Sequence, residues 1–369
     1  MNKVAISGYG NTKFSKEEIP IESLLLNATK SLFHQNPNIT KKNIDTVLVS
    51  TNDNSKYLAA ILSELTGIQP KISHTVESLC NSGTNSIVSA YSYIASGLVD
   101  VALVVGAERR NSPGQVLEWD NSRGEYKHPI FWGSIFTKSY KRKFHITEED
   151  LAIVSAKNHK NASNNPNAYS NKVYSIDELL NSKKLTDDLK ISDCSKPCSG
   201  ASAILLTSEH IASKFSENPI WIKGIGQKTL SAGFTKNRDF TCMSSTIEAS
   251  KIAFDMAKMK PNDVDVAEIH DAFTICEIMA VEDIGLVEKG EGAKLSKTLY
   301  ETQDMKINPR GGLIGAGHPL GATGIAQVIE TTQQLQGTAE KRQIKNASVG
   351  LVHNMSAAAT SSTVLILQS

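Results

Sequence analysis

Hydrophobic positions along the chain recur with two periods, and the periods alternate. VAISGYG reads as a strand and IESLLLNATKSLF as an amphipathic helix; DTVLVSTN is a buried strand, and KYLAAILSELTG a helix closed by Gly67 just past its end. A short segment ending at Leu79 precedes a helix from about Cys80 to Ser96, and VDVALVVGAE follows as a strand. Strands alternating with helices predict a mostly parallel sheet covered by helices. Residues 111–192 break this rhythm with polar stretches such as NHKNASNNPNAYSNK, an aromatic cluster YKHPIFWGSIF and a helix TEEDLAIVSAKNHK. They read as a long excursion inserted into the first unit, which ASAILLTSE then rejoins as a strand.

The opening pattern starts again near residue 219. PIWIKGIG is a strand, TIEASKIAFDMAKM a helix, and VDVAEIHDAF a strand ending in polar residues; a helix over about Gly315–Leu335 and strands ASVGLVHNM and STVLILQ complete it. Two stretches of the first half are echoed in the second. ITKKNIDTVLV matches MKPNDVDVAEI, and SLCNSGTNSIVSAYSYIASGL matches IGAGHPLGATGIAQVIETTQQL, with Cys80 and His318 each followed three residues later by glycine. An internal duplication with a site between the halves is the expectation.

Composition narrows the chemistry. The formal net charge of +1 gives no reason to expect a polyanion partner such as nucleic acid. No apolar run approaches the ~18 residues of a membrane span, and the N-terminus reads as a strand without a cleavable leader, so a cytoplasmic protein is expected. Five cysteines in 369 residues make no disulfide framework, and Cys194 and Cys198 lack the partners of a zinc site. No P-loop, dinucleotide fingerprint or metal motif occurs, Gly224-Ile225-Gly226 lacking the rest of a fingerprint.

Cys80 is distinguished by its setting. NSGTNS behind it is small and polar and opens a helix, whose N-terminus is expected to lower the thiol pKa and favour thiolate. Three histidine segments supply partners: IHDAF with His270 and Asp271 at a strand end, GAGHPLGATG with His318 in a glycine-rich turn, and VHNMSAAAT with His353 and Asn354 at another strand end. A thiol nucleophile with imidazoles suits acyl transfer, because histidine exchanges protons near working pH.

The order SLCNSG, KNHKNASNNPNA, HDAF, NPRGGLIGAGHPLGATG and HN resembles the thiolase superfamily nearly end to end, and within it the archaeal and sterol-carrier-protein-type enzymes. The resemblance implies a thiolase fold of α/β class, with duplicated αβαβα halves in five layers. The expected boundaries are 1–115 with 193–217 for the first half, 116–192 for a loop domain over the active site, and 218–369 for the second half. It implies that Cys80 is the acylated nucleophile, that His318 activates it, and that His270 orders a water or donates to the thioester oxygen. The backbone N–H of Cys80 and a loop N–H near Ser356 would form a second oxyanion hole.

The chain departs from the family at the base. Asn354-Met355-Ser356 stands where a CxG cysteine is usual, Ala272 where HDCF has its cysteine, and Arg310 where serine is usual in NPSGG. His270 polarised by Asp271 is the first candidate base and His353 the second; Cys276, one turn beyond Ala272, reads as core. The KNHKNASNNPNA segment fits either coenzyme A binding or scaffolding. The expected activity is condensation of two acetyl-CoA to acetoacetyl-CoA and CoA, or the reverse thiolysis. No permanently bound cofactor is expected, coenzyme A thioesters being substrates. A homodimer or homotetramer is implied, with a hydroxymethylglutaryl-CoA synthase and an OB-fold, zinc-ribbon protein as partners. The alternatives are acylation of a non-CoA carbon nucleophile such as a phenolic ring, and a non-catalytic acyl-CoA-binding scaffold subunit.

Overall fold

The computed structural model describes residues 2–111, 124, 126–233 and 239–369. The first half runs β1 (Val4–Asn11), α1 (Ile21–Gln35), β2 (Thr46–Ser50), α2 (Leu58–Thr66), β3 (Ile72–Val76), α3 (Ser82–Ala95) and β4 (Val101–Glu108). Three helices follow, α4 (Pro129–Phe144), α5 (Glu148–Ala162) and α6 (Ile176–Leu180), before β5 (Gly200–Ser208) and α7 (Ala212–Phe215). The second half runs β6 (Ile220–Thr229), α8 (Ser244–Ala257), β7 (Val266–Glu268), α9 (Thr274–Asp283), α10 (Gly292–Thr302), α11 (Gly312–Ala316), α12 (Leu320–Gln336), β8 (Val349–Ser356) and β9 (Ser361–Gln368).

The strands hydrogen-bond in the order β3-β2-β4-β5-β1-β6-β9-β8-β7. The second half repeats the first in mirror order through the short antiparallel contact of β1 with β6. The echoes in the sequence are real in space. Each half places a 3₁₀ turn before its second strand, and each turn is closed alike. The Thr40 N–H donates to Asn43 Oδ1 at 2.9 Å, and the Lys260 N–H donates to Asp263 Oδ2 at 2.7 Å. The expectation of a mostly parallel sheet is corrected. Only β2–β3, β2–β4 and β7–β8 are parallel among the described residues, because β5 and β9 each return antiparallel to a neighbour in their own half. The expected boundary at residues 115–116 lies outside the described residues.

Packing gives five layers. Leu24, Leu25 and Leu62 of α1 and α2 cover the outer face of the first-half strands, and Ala249, Ala253 and Phe254 of α8 cover that of the second. Ile87, Ala90 and Ile94 of α3 and Ile325, Val328 and Ile329 of α12 form the middle layer, contacting strands of both halves. Spacings of three and four put each apolar set on one helix face. Close approach of the two middle helices needs glycine: a methyl on Gly83 would lie 3.1 Å from the Gly321 carbonyl, and one on Gly106 would overlap that same oxygen. Instead of one helix from Gly315, the chain forms α11, breaks at Gly317 (φ 98°) and restarts as α12.

Candidate active site

The N-terminal ends of α3 and α12 converge. Cys80 lies in a single 3₁₀ turn, Leu79–Asn81, that runs into α3, and His318 stands two residues before α12. Small polar residues build the cysteine turn. The Ser82 hydroxyl donates to the Leu79 carbonyl at 2.6 Å, and the Ser78 N–H donates to Ser82 Oγ at 2.8 Å. Ser356, from the end of β8, staples the turn to the other half: its hydroxyl accepts from the Asn81 N–H at 3.1 Å and donates to the Ser78 carbonyl. Next to it, Ala357, Ala358 and Ala359 all have left-handed φ of 41–60°, strained for residues with a Cβ.

Ligand-type atoms of Cys80, His270 and His318 lie within 4.8 Å of one another. The two imidazoles meet edge to face with centroids 5.2 Å apart. His318 Nδ1 is 2.8 Å from Thr323 Oγ1, and His270 Nδ1 accepts from Asn354 Nδ2 at 3.0 Å. The free nitrogen of each ring is therefore Nε2. Beneath the cluster, the buried Glu108 carboxylate accepts from the N–H groups of Asn52 and Gly321 at 2.9 and 3.0 Å, tying the end of β4 to the start of α12.

The remaining expected site residues divide. Asn354 joins the cluster through His270. Asp271 does not polarise His270: its carboxylate accepts from the Leu313 N–H at 2.6 Å, the Ile314 N–H at 3.3 Å and Asn158 Nδ2 at 2.7 Å, serving α11 and α5 instead. His353 alternates to the opposite face of β8, where its Nε2 is 3.0 Å from Thr246 Oγ1 of α8. Cys276 is buried core. Three side chains of the KNHKNASNNPNA segment hold the fold together. Lys157 is buried in an ion pair with Glu277 at 3.0 Å, while Asn161 and Asn165 donate to the carbonyls of Asn308 and Arg310 at 3.0 Å.

A pocket of about 220 Å³ opens at Cys80 and His318. Its walls are chiefly apolar, with Leu79, Ile130, Trp132, Phe273 and Leu320, and they also include His128 and Cys194. Burial dominates the electrostatics. It pushes the Cys80 thiol up to about 12, assisted by the Glu108 charge, so the thiolate expected at a helix N-terminus is not the resting form. Burial pulls His318 and His353 each down to about 3, with Arg310 adding to the shift at His318. His270 falls well below its usual value through burial and the neighbouring histidines. The pair facing the thiol is therefore neutral.

Sequence reasoning missed Thr323, Gln327, Glu108, His128 and Cys194. Thr323 lies inside GHPLGATG, and Gln327 follows it by four residues on the same helix face, so their signal was present. Cys194 pairs across with Phe273 in a single bridge formed by two distant segments, which no local pattern announces.

Comparison with known proteins accords with this geometry. The family "Thiolase, N-terminal domain" matches residues 4–174, and "Thiolase C-terminal domain-like" matches residues 226–369. The chain belongs to the thiolase superfamily. An acetyl-CoA acetyltransferase of Methanothermobacter thermautotrophicus is 32% identical to this thiolase over 96% of each chain. The benzoylsuccinyl-CoA thiolase subunit BbsB of Thauera aromatica is 31% identical over 93% of this chain and 91% of its own. Among solved structures, the Ltp2-ChsH2(DUF35) aldolase superposes with a TM-score of 0.88 at 19% identity, covering 100% of this chain and 98% of that one. At that identity the likeness speaks for the fold. The thiolase superfamily works on coenzyme A thioesters. No helix among the described residues is long and apolar enough to cross a membrane.

Proposed function

We propose that this thiolase is an acyl-CoA C-acyltransferase that works through an acyl-Cys80 intermediate, with His318 and His270 as the other catalytic residues. The observation that carries the reading is the convergence of one thiol and two neutral imidazoles within 4.8 Å, two of the three residues lining the pocket. Cys80 attacks the thioester carbonyl as its proton passes to an imidazole, which then returns it to the departing CoA thiolate. A second acyl-CoA, deprotonated at its α-carbon, takes the acyl group from Cys80. The favoured reaction is condensation of two acetyl-CoA to acetoacetyl-CoA, or its reverse, in keeping with the archaeal acetyltransferase relative.

A second reading concerns the size of the acyl group. The pocket exceeds what acetyl requires and carries Trp132 and Phe273, which suits a larger apolar acyl or acceptor group. The proposed organisation keeps residues 1–115 with 193–217 and residues 218–369 as the halves, with 116–192 covering the site. We further propose a cytoplasmic homo-oligomer, and carry over from the archaeal type the hydroxymethylglutaryl-CoA synthase and OB-fold, zinc-ribbon partners.

The deciding experiment is intact-mass spectrometry after incubation with acetyl-CoA, comparing wild type with Cys80→Ala. A gain of one acetyl group that vanishes in the variant is expected. CoA binding with no adduct on the wild type would sink the mechanism in favour of a scaffold.

A further inference from the structure

Both histidines facing Cys80 are neutral, so each holds one proton on one of two nitrogens. Where that proton sits decides whether the ring can accept or donate at the thiol. The chain of bonds behind each ring settles the matter. A backbone carbonyl only accepts; the His353 carbonyl lies 3.2 Å from Gln327 Nε2, which fixes the Gln327 amide with its NH₂ toward that strand. Gln327 Oε1 then faces the Asn354 amide and accepts from Asn354 Nδ2 at 2.8 Å. The second hydrogen of that same NH₂ is directed at His270 Nδ1, 3.0 Å away. His270 Nδ1 is therefore an acceptor, and the ring proton sits on Nε2.

The support behind His318 has the opposite polarity. Thr323 lies one helical turn after Pro319, and its hydroxyl donates to the Pro319 carbonyl at 2.9 Å, the usual bond of a threonine inside a helix. Its oxygen is then left to accept from His318 Nδ1 at 2.8 Å. The ring proton sits on Nδ1, and Nε2 carries a lone pair.

We propose that Gln327 and Asn354 lock His270 as a fixed hydrogen-bond donor, while Thr323 locks His318 as the single base of the cluster, serving both halves of the reaction. This rests on the acyl-transfer reading above and makes Asn354, Gln327 and Thr323 positioning residues. It also accounts for the absence of a second cysteine at positions 272 and 354–356. In the first half, the Cys80 proton passes to His318 Nε2, the sulfur bonds to the acyl carbon, and the C–S bond to CoA breaks. The CoA thiolate takes the proton back from His318. In the second half, His318 Nε2, free again, removes the α-proton of the incoming acyl-CoA, while His270 Nε2–H holds the enolate oxygen. The α-carbon bonds to the acyl carbon, the C–S bond to Cys80 breaks, and the Cys80 sulfur recovers the proton from His318. The same lock makes the three-residue cluster a poor cation site, since the free nitrogen of His270 carries hydrogen rather than a lone pair.

The test is ¹⁵N–¹H NMR of the histidine-labelled enzyme, with the His270 and His318 signals assigned by their loss in His270→Gln and His318→Gln. Wild type is expected to show His270 protonated at Nε2 and His318 at Nδ1, a readout that needs no substrate. Asn354→Asp replaces the donor by an acceptor, so the His270 proton is expected to move to Nδ1. Formation of acyl-Cys80 should persist in that variant, while carbon–carbon bond formation falls by about 10²–10³-fold, the usual loss for one oxyanion donor. Wild-type His270 protonated at Nδ1 would overturn the proposal, as would an Asn354→Asp enzyme with unchanged tautomer and unchanged condensation. Absence of acyl-Cys80 in a wild type with the expected tautomers would instead retire the acyl-transfer reading and leave the lock standing.

Discussion

Cys80, the proposed nucleophile, is kept in its neutral form. Burial and the Glu108 carboxylate raise its pKa to about 12, while the helix-end setting works in the other direction and loses. The thiolate is the reactive species toward electrophiles, and its fraction below the pKa grows about tenfold with each pH unit. Since the pKa is raised, alkylation of Cys80 by iodoacetamide should climb without a plateau from pH 6 to pH 9, and at pH 8 should lag an unstructured cysteine. Peptide mapping of the alkylated protein measures this site by site. A rate that is already level at pH 6 to 7 would mean a resting thiolate–imidazolium pair and would contradict the neutral cluster. In the proposed mechanism acyl-CoA escapes this limitation, because there His318 removes the proton during attack.

At the scale of elements, the site depends on how closely α12 approaches the first half. Its first turn is clamped by the Ser50 hydroxyl on the Gly321 carbonyl at 2.8 Å and by Glu108 on the Gly321 N–H at 3.0 Å. Gly106 of β4 faces that carbonyl with no room for a methyl group. Gly106→Ala should therefore cost about 1–3 kcal/mol of stability by overpacking, read from urea unfolding. It should also slow acylation of Cys80 by about 10- to 100-fold as His318 shifts. Unchanged acylation would show that α12 tolerates displacement. Much of this architecture was legible in the chain. The duplicated polar turns before β2 and β7, the glycine-rich entry to α12 and the small residues around Cys80 all carry local signals. Legibility failed where long-range pairing decides. The run VDVAEIHDAF yields only three strand residues, because the Ile269 N–H donates to Asn308 Oδ1 at 2.7 Å and leaves the ladder. Asp271 looked like a partner for its neighbour His270, yet α11, brought in from forty residues away, claims its carboxylate. The pKa of Cys80 departs from the local expectation for the same reason: the dipole is local, whereas burial is set by the opposing half.

At the scale of the molecule, the two ends of the sheet are treated differently. The β7 edge is closed by the chain itself, with the Ala267 N–H donating to the Lys306 carbonyl and the Asn308 N–H to the Ala267 carbonyl, each at 2.8 Å. At the opposite edge, among the described residues, β3 pairs only with β2, and its Ser73 and Thr75 side chains are exposed. An open edge strand is a template for another strand, and β3 runs straight into the Cys80 turn. Self-pairing of β3 would therefore leave both sheet edges seen among the described residues covered and brace the Cys80 turn from outside, in keeping with the proposed homo-oligomer. In an antiparallel pair about His74, Ser73 of one copy faces Thr75 of the other. Lysines at both positions would set like charges opposite one another and weaken the pair. Light scattering behind size exclusion should give twice the chain mass or a multiple of it for wild type, and a shift toward monomer for the Ser73→Lys, Thr75→Lys double variant. A wild type that stays monomeric at tens of micromolar would refute self-pairing. A wild-type oligomer unaffected by the two lysines would move the interface to another face of the fold.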